Sequence, residues 1–245
     1  MNEKRISSLS HENVKHWVRL QKDKSYRHAS KRILVEGKNL VRDLSKRHKP
    51  IEVIITEPHL KAFSQHNPTI ISQHIAEKIS DVLTPEGCFA EFELPTTSFP
   101  TSISTGIIFD GLQDPGNVGT LFRTALAFGI HTVFLIEPSC DPWNPKVIRA
   151  ARGSQFDQTI VSCSWKDLPT NIPLFVADLN GEDIKNLHIP KKWLLVLGNE
   201  AQGPKLPPSS PHHKITIPMK GPTESLNVAQ AGAVLLYTFS SKYGS

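Results

Sequence analysis

Residues 114–125 read Asp114-Pro115-Gly116-Asn117-Val118-Gly119-Thr120-Leu121-Phe122-Arg123-Thr124-Ala125. Val118, Leu121, Phe122 and Ala125 fall at i, i+3, i+4 and i+7, one face of a helix predicted over residues 117–128. Gly129 follows where a left-handed residue closes a helix. The apolar run 107–109 before this stretch predicts a buried strand. Strand, Gly/Asn loop and helix make one βα unit, and the same alternation repeats downstream. A strand is expected at 132–136. Asn144-Pro145 reads as the N-cap and first residue of a helix that ends at Gly153. Further strands are expected at 159–161, 174–177, 194–197 and 214–217. A last helix, 226–239, is apolar nearly all round. The pattern predicts an α/β domain over 106–245, a mostly parallel sheet with helices on both faces.

Upstream of this domain the stretch 93–106, ELPTTSFPTSISTG, is rich in Pro, Ser and Thr and has no period. Its centre, 96–105, is the expected linker. Residues 1–95 form a second, smaller α/β pattern. A helix is expected over 7–31, capped by Ser10 or Asn13, then a strand at 33–35 and a helix at 37–46. Strands at 53–56, 69–71 and 88–94, with a helix around 75–79, complete it.

Charge separates the two parts. Residues 1–50 hold 14 Lys/Arg against 5 Asp/Glu, a balance of +9, whereas the remaining residues carry 14 against 18. A basic front on a slightly acidic body points to a polyanionic partner, with a solvated helix face as the plain alternative. His11, His16, His28 and His48 lie in the same stretch and add weak charge near neutral pH. Three cysteines, Cys88, Cys140 and Cys163, suit neither a disulfide framework nor a zinc site. No metal site is expected. There is no apolar run of about 18 residues and no signal-peptide pattern at the front, so a cytoplasmic protein is expected.

Two more Gly/Asn-rich segments join the first at the carboxyl ends of predicted strands, the edge where open α/β sheets bind ligands. They are LVLGNEAQGP (195–204) and IPMKGPTESLNVAQA (217–231). None contains GxGxxG, which disfavours a dinucleotide site. Taken singly, each has a bland reading: a helix cap at Asn117 or Ser225, a solvated Arg123 or Glu200. Their order and spacing are more specific. With NPKVIRAARGSQF (144–156), LVEGKNLV (34–41) and TPEGCFAEFELP (84–95), the chain resembles the SpoU/TrmH family of RNA ribose 2′-O-methyltransferases, in the SPOUT class. One departure is PKLPPSSPHHK (204–214), where the family more often has an acidic helical stretch.

The resemblance implies a trefoil knot near the C-terminus, a homodimer, S-adenosylmethionine as methyl donor, and structured RNA as substrate. Ribosomal RNA is preferred because of the separate front domain, which is similar to the family's RNA-binding domain. It assigns the cofactor to Leu197, Gly198, Asn199, Gly203, Ile217, Met219, Ser225 and Leu226, and the catalytic set to Asn117, Arg123, Glu200, Ser225 and Asn227. Lys15, Arg19, Lys31, Arg32, Lys38 and Arg149 are the expected RNA contacts. The family proposal for Arg123 is a general base. A guanidinium holds its proton firmly, so the preferred role is to orient phosphate and 2′-hydroxyl and to relay the proton. Glu200 would hold Arg123; Asn117, Ser225 and Asn227 would position ribose and cofactor. A small-residue patch on the last helix, Ala229, Gly232 and Ala233, is the expected dimer face, with burial inside the monomer as the alternative. Rival readings are a transfer-RNA 2′-O-methyltransferase, a non-catalytic RNA-binding assembly factor, and a nucleotide-dependent oxidoreductase.

Overall fold

A computed structural model describes residues 4–199, 202–207, 211–222 and 225–241. The chain divides into two compact units: the chain up to Thr96 together with Trp143–Arg149, and Thr97–Pro142 with Ala150 onward.

In the first unit the elements run β1 (Arg5–Ile6), α1 (Glu12–Lys22), α2 (Lys24–Ser30), β2 (Arg32–Glu36), α3 (Lys38–Ser45), β3 (Glu52–Thr56), α4 (Leu60–Phe63), β4 (Thr69–Ile71), α5 (Gln73–Ile79) and β5 (Cys88–Glu93). The five strands form a mixed sheet in the order β1-β4-β3-β5-β2, with β2 at an edge. The helix expected over 7–31 is two helices. Asp23, in an extended conformation (φ −118°), ends α1, and its carboxylate accepts the Tyr26 N–H to start α2. Buried Arg27 then donates to the Leu20 carbonyl at 2.8 Å, satisfying a backbone acceptor at the open end of α1. The cap of α1 is His11, whose Nδ1 accepts the Asn13 N–H. Of the expected caps, Ser10 lies one residue before this position, where its hydroxyl is bonded to Ser8, and Asn13 is already inside the helix. Val14, Trp17 and Leu20 of α1 meet Ile75, Ala76 and Ile79 of α5 over Leu34, Ile54 and Phe89 of the sheet, the helical and strand periods each supplying one apolar face.

In the second unit the elements run β6 (Thr105–Asp110), α6 (Pro115–Ala127), β7 (Thr132–Ile136), α7 (Pro145–Ala151, which the unit boundary divides), β8 (Thr159–Cys163), β9 (Leu174–Asp183), β10 (Trp193–Gly198), β11 (His212–Thr216) and α8 (Val228–Ser241). All six strands are parallel, in the order β11-β9-β10-β6-β7-β8. Chain order reverses across the β10/β6 pair, a topological switch point. Alternate residues split the core. Phe109 packs on Phe122 of α6, and Phe175 and Trp193 pack edge-on against Phe239 of α8. On the other face Ile108, Phe134, Val176, Leu194 and Val196 pack with Leu168 and Ile172.

Two register details shape the ligand edge. β9 runs six residues past its expected end at 177. Its pairing with β11 jumps from Lys214↔Val176 to Ile215↔Glu182, so 177–181 bulge out of the ladder. Gly181 permits this, since a Cβ there would lie 2.6 Å from the Ile215 Cα. On α8, Gly232 lets the helix sit close to the sheet: a Cβ would come within 2.8 Å of Leu197 Cδ1. Gly232 and Ala229 are buried within the chain, so this part of the small-residue patch packs internally.

Candidate functional site

α6 starts where Asp114 accepts the Asn117 N–H at 2.8 Å and Pro115 supplies a fixed φ at the first turn. Asp114, not Asn117, is therefore the cap, and the Asn117 side chain is left for a lateral contact. α8 starts the same way: Asn227 Oδ1 accepts the Ala229 N–H at 2.9 Å, and Ser225 lies two residues before it. With Oδ1 committed to the helix, Asn227 Nδ2 points outward and donates to Asn117 Oδ1 at 3.0 Å. Two helix starts 110 residues apart are thus tied by one amide–amide bond.

The loop after β10 folds back on itself. Gly203 N–H donates to the Asn199 carbonyl at 2.8 Å, and Asn199 N–H to the Asp110 carbonyl at 3.1 Å. Asn199 Nδ2 donates to the Gly111 carbonyl, and the Lys205 N–H donates to the Asp110 carboxylate. Asp110, buried at the end of β6, fastens both arms of the loop. Burial pushes its carboxyl above the ordinary value, opposed by the Lys205 hydrogen bond. Gly198 is where the returning arm passes closest. A Cβ there would lie 2.6 Å from Gly203 C and Pro204 Cα, and nearer still to Pro204 N.

These loops surround a cavity of about 380 Å³ at the carboxyl ends of β9, β10 and β11, against α8. That is within the size range of small-ligand sites, roughly 300–1,000 Å³. Every residue expected to hold cofactor lines it: Leu197, Gly198, Asn199, Gly203, Ile217, Met219, Ser225 and Leu226. Met219 and Leu226 keep over a third of their surface uncovered, an apolar margin suited to a flat ring. The sequence reading missed the β9 bulge, Asp178, Leu179 and Asn180, which forms another wall. Its signal was the Asn180-Gly181 pair inside an apparent strand. The Lys214 ammonium, 2.8 Å from Asp178, and the Asn180 N–H hold the Asp178 carboxyl below its ordinary range.

Of the remaining expected catalytic residues, Asn117, Arg123 and Asn227 are not in this lining. Arg123 is exposed on α6 and makes no hydrogen bond or ion pair with the described residues. Glu200 lies outside the described residues, and with it the expected Arg123–Glu200 pair. The expected RNA contacts all fall in the first unit. Lys15 pairs with Glu12 at 2.7 Å, and Arg19 lies over the Tyr26 ring. Lys31 is exposed in a left-handed conformation after α2. Arg32 pairs with Glu91 and Glu93, and Arg149 forms a two-pronged pair with Asp81. Lys38 opens α3, with its N–H on the Glu86 carboxylate. The carboxylates thus offset part of the charge of Arg32 and Arg149.

Residues 104–237 match the SpoU rRNA Methylase family, and residues 11–90 match the MRM3-like substrate binding domain. A Bacillus subtilis protein described as a 23S rRNA guanosine 2′-O-methyltransferase, RlmP, is 29% identical over 96% of this chain and 98% of its own. A solved structure from Porphyromonas gingivalis, described as an RNA methyltransferase of the TrmH family, aligns with a TM-score of 0.82 at 31% identity, covering 95% of this chain and 98% of that one. The AdoMet-bound rRNA methyltransferase of Sinorhizobium meliloti shares the fold, with a TM-score of 0.80 at 24% identity over 97% of each chain.

Proposed function

The chain belongs to the SpoU rRNA methylase family, and from that premise we propose that it transfers a methyl group from S-adenosylmethionine to a ribose 2′-hydroxyl of ribosomal RNA. The supporting observation is one cavity lined by the β9 bulge, the loop after β10, and residues within 215–219 and 225–228. Its composition fits the cofactor. Leu197, Ile215, Leu226 and Leu235 offer apolar walls, Asp178, Asn180 and Ser225 offer polar partners, and Gly198 leaves space that a side chain would take. The full-length relative described as acting on 23S rRNA, and the separate front domain, favour ribosomal over transfer RNA.

When bound, S-adenosylmethionine supplies an electrophilic methyl group on a sulfonium. The protein's part is to align and to handle a proton. The Asn117–Asn227 bond fixes the starts of α6 and α8, and with them Ser225 beside the cavity. Arg123 presents an exposed guanidinium whose planar fork suits a phosphate and the neighbouring 2′-hydroxyl. It orients the nucleophile, and the RNA phosphate is the acceptor through which the proton leaves. Glu200 is assigned the holding of Arg123.

We assign residues 1–95 to an RNA-binding domain, 96–105 to a linker and 106–245 to the methyltransferase domain with the family's knot. We also assign a homodimer. Val234 and Tyr237 on α8 are 42% and 62% exposed, and Phe128 stacks edge-on against Tyr237, an apolar surface a second copy would cover. A cytoplasmic location suits three cysteines that are all free.

Incubation with methyl-labelled S-adenosylmethionine and ribosomal RNA tests the reading. Label should appear in an alkali-resistant dinucleotide, since a methylated 2′-oxygen cannot attack the adjacent phosphate. Label on a base, or none, overturns it. Arg123→Ala should abolish transfer and leave cofactor binding intact.

A further inference from the structure

The first unit holds a polar chain that neither its core nor the cavity uses. Arg19 on α1 lays its guanidinium over the Tyr26 ring, with Cζ 3.7 Å from the ring centroid. The Tyr26 hydroxyl lies 2.8 Å from His16 Nδ1, and His16 Nε2 lies 3.2 Å from the Glu91 carboxylate. A carboxylate only accepts, so Nε2 donates to Glu91, and the Tyr26 hydroxyl, which can donate or accept, completes the chain at Nδ1. Glu91 is fixed in its turn. Its side chain is 8% exposed on β5, and its other oxygen faces Arg32 Nε at 3.4 Å. The Tyr26 backbone is held by Asp23, and the His16 ring meets the Tyr26 ring edge-on at 5.6 Å.

The result is an exposed arginine seated on a ring that cannot turn. Ordering a long surface side chain costs conformational entropy, and here that cost is met before any partner arrives. Arg19 is exposed, and the Tyr26–His16–Glu91–Arg32 chain is complete without it. Lys15 and Lys22 lie on the same helix face, four residues before and three after, both exposed. A flat cationic seat flanked by two ammonium groups matches a base face with phosphates on either side.

We propose that Arg19, stacked on Tyr26, is a platform for an unpaired nucleobase of the RNA substrate, with Lys15 and Lys22 meeting the adjoining phosphates. This rests on the RNA-modifying role assigned above and specifies it. The base is unpaired because in a duplex both faces are already covered by neighbours. Proteins read splayed bases by stacking them on aromatic or guanidinium planes. The surface therefore selects loops and bulges over uninterrupted helix.

The test uses the full chain and two labelled RNAs of equal length and charge, a hairpin with 2-aminopurine in its loop and a blunt duplex. Arg19→Lys keeps the charge and removes the plane. It should weaken hairpin binding by about 5- to 10-fold, remove the change in 2-aminopurine fluorescence that accompanies binding, and leave duplex binding and its salt dependence unchanged. Equal hairpin affinity in variant and wild type, or equal loss on both RNAs, overturns the platform. Failure of the wild type to bind either RNA overturns the RNA reading itself. Lys15→Ala, by contrast, should weaken both RNAs alike and flatten the salt dependence.

Discussion

Replacing Gly198 by alanine probes how tightly the cavity wall is drawn. The added Cβ would stand 2.6 Å from Gly203 C and Pro204 Cα, where ordinary contact begins at 3.4 Å. The opposing atoms are backbone, so no rotamer change relieves them, and the returning arm must retreat by nearly 1 Å. That arm is fastened to Asp110 and Asn199, so its retreat strains the wall that Gly203 and Pro204 contribute. Overpacking of this kind costs about 1–3 kcal/mol. Expressed as lost ligand affinity, that is about 5- to 150-fold. Calorimetric titration of the full chain with S-adenosylhomocysteine reads the effect without turnover. Gly203→Ala is the matched control: its φ is +66° but among the described residues no atom beyond its chain neighbours lies within 4 Å of the new carbon. It should lose about 1 kcal/mol of stability through backbone strain and much less affinity. If the Gly198 variant binds within twofold of wild type, or the Gly203 variant binds more weakly than it does, the account of the wall is wrong.

Two further outcomes follow from single side chains. Asn227→Ser should keep the helix cap, since serine and asparagine cap about equally well, and so hold the melting temperature, while losing the reach to Asn117. Methyl transfer should then fall by about 10-fold or more, and an unchanged rate would show that the amide tie has no catalytic consequence. Glu36 is buried, and burial raises its carboxyl above the ordinary 4.5, opposed by the Ser80 hydrogen bond, with Asp81 raising and Arg149 lowering it. A raised acid binds its proton more tightly when folded, so its penalty grows as pH climbs from the unfolded value through the folded one. Glu36→Gln should therefore melt higher than wild type at about pH 7.5, with the gain shrinking towards about pH 4. A gain that is flat with pH would remove the electrostatic explanation.

Much of the second unit could be read because its signals are local. Val118, Leu121, Phe122 and Ala125 declare a helix by spacing alone, and the glycine-bearing loops mark where backbone must approach something closely. What escaped depends on partners distant in the chain. Asp178 to Asn180 lie past the expected strand end at 177, and the resumption of β9 beyond Gly181 escaped because it is decided by Ile215 packing across it. Ser225 looked like the natural cap, but Asn227 takes the position because its amide serves the helix and Asn117 at once. Asp110 gave no signal at all: a carboxylate ending an apolar strand acquires its task only when the loop after β10 returns to it. In the first unit the helix spacing was legible over 7–31, but the interruption at Asp23 was not, since it depends on Arg27 folding back onto the Leu20 carbonyl.

The tie between Asn117 and Asn227 has a temporal side. Synthesis runs from the amino end, so α6 is made before Asn227 exists, and the tie between them waits until more than a hundred further residues have left the ribosome. Every described residue that lines the cavity is Ala177 or later, whereas the first fifty residues hold half of the chain's Lys and Arg and a balance of +9. A growing chain therefore gains the means to grip a polyanion well before it can house a small ligand, and readiness for chemistry arrives only with its closing helix.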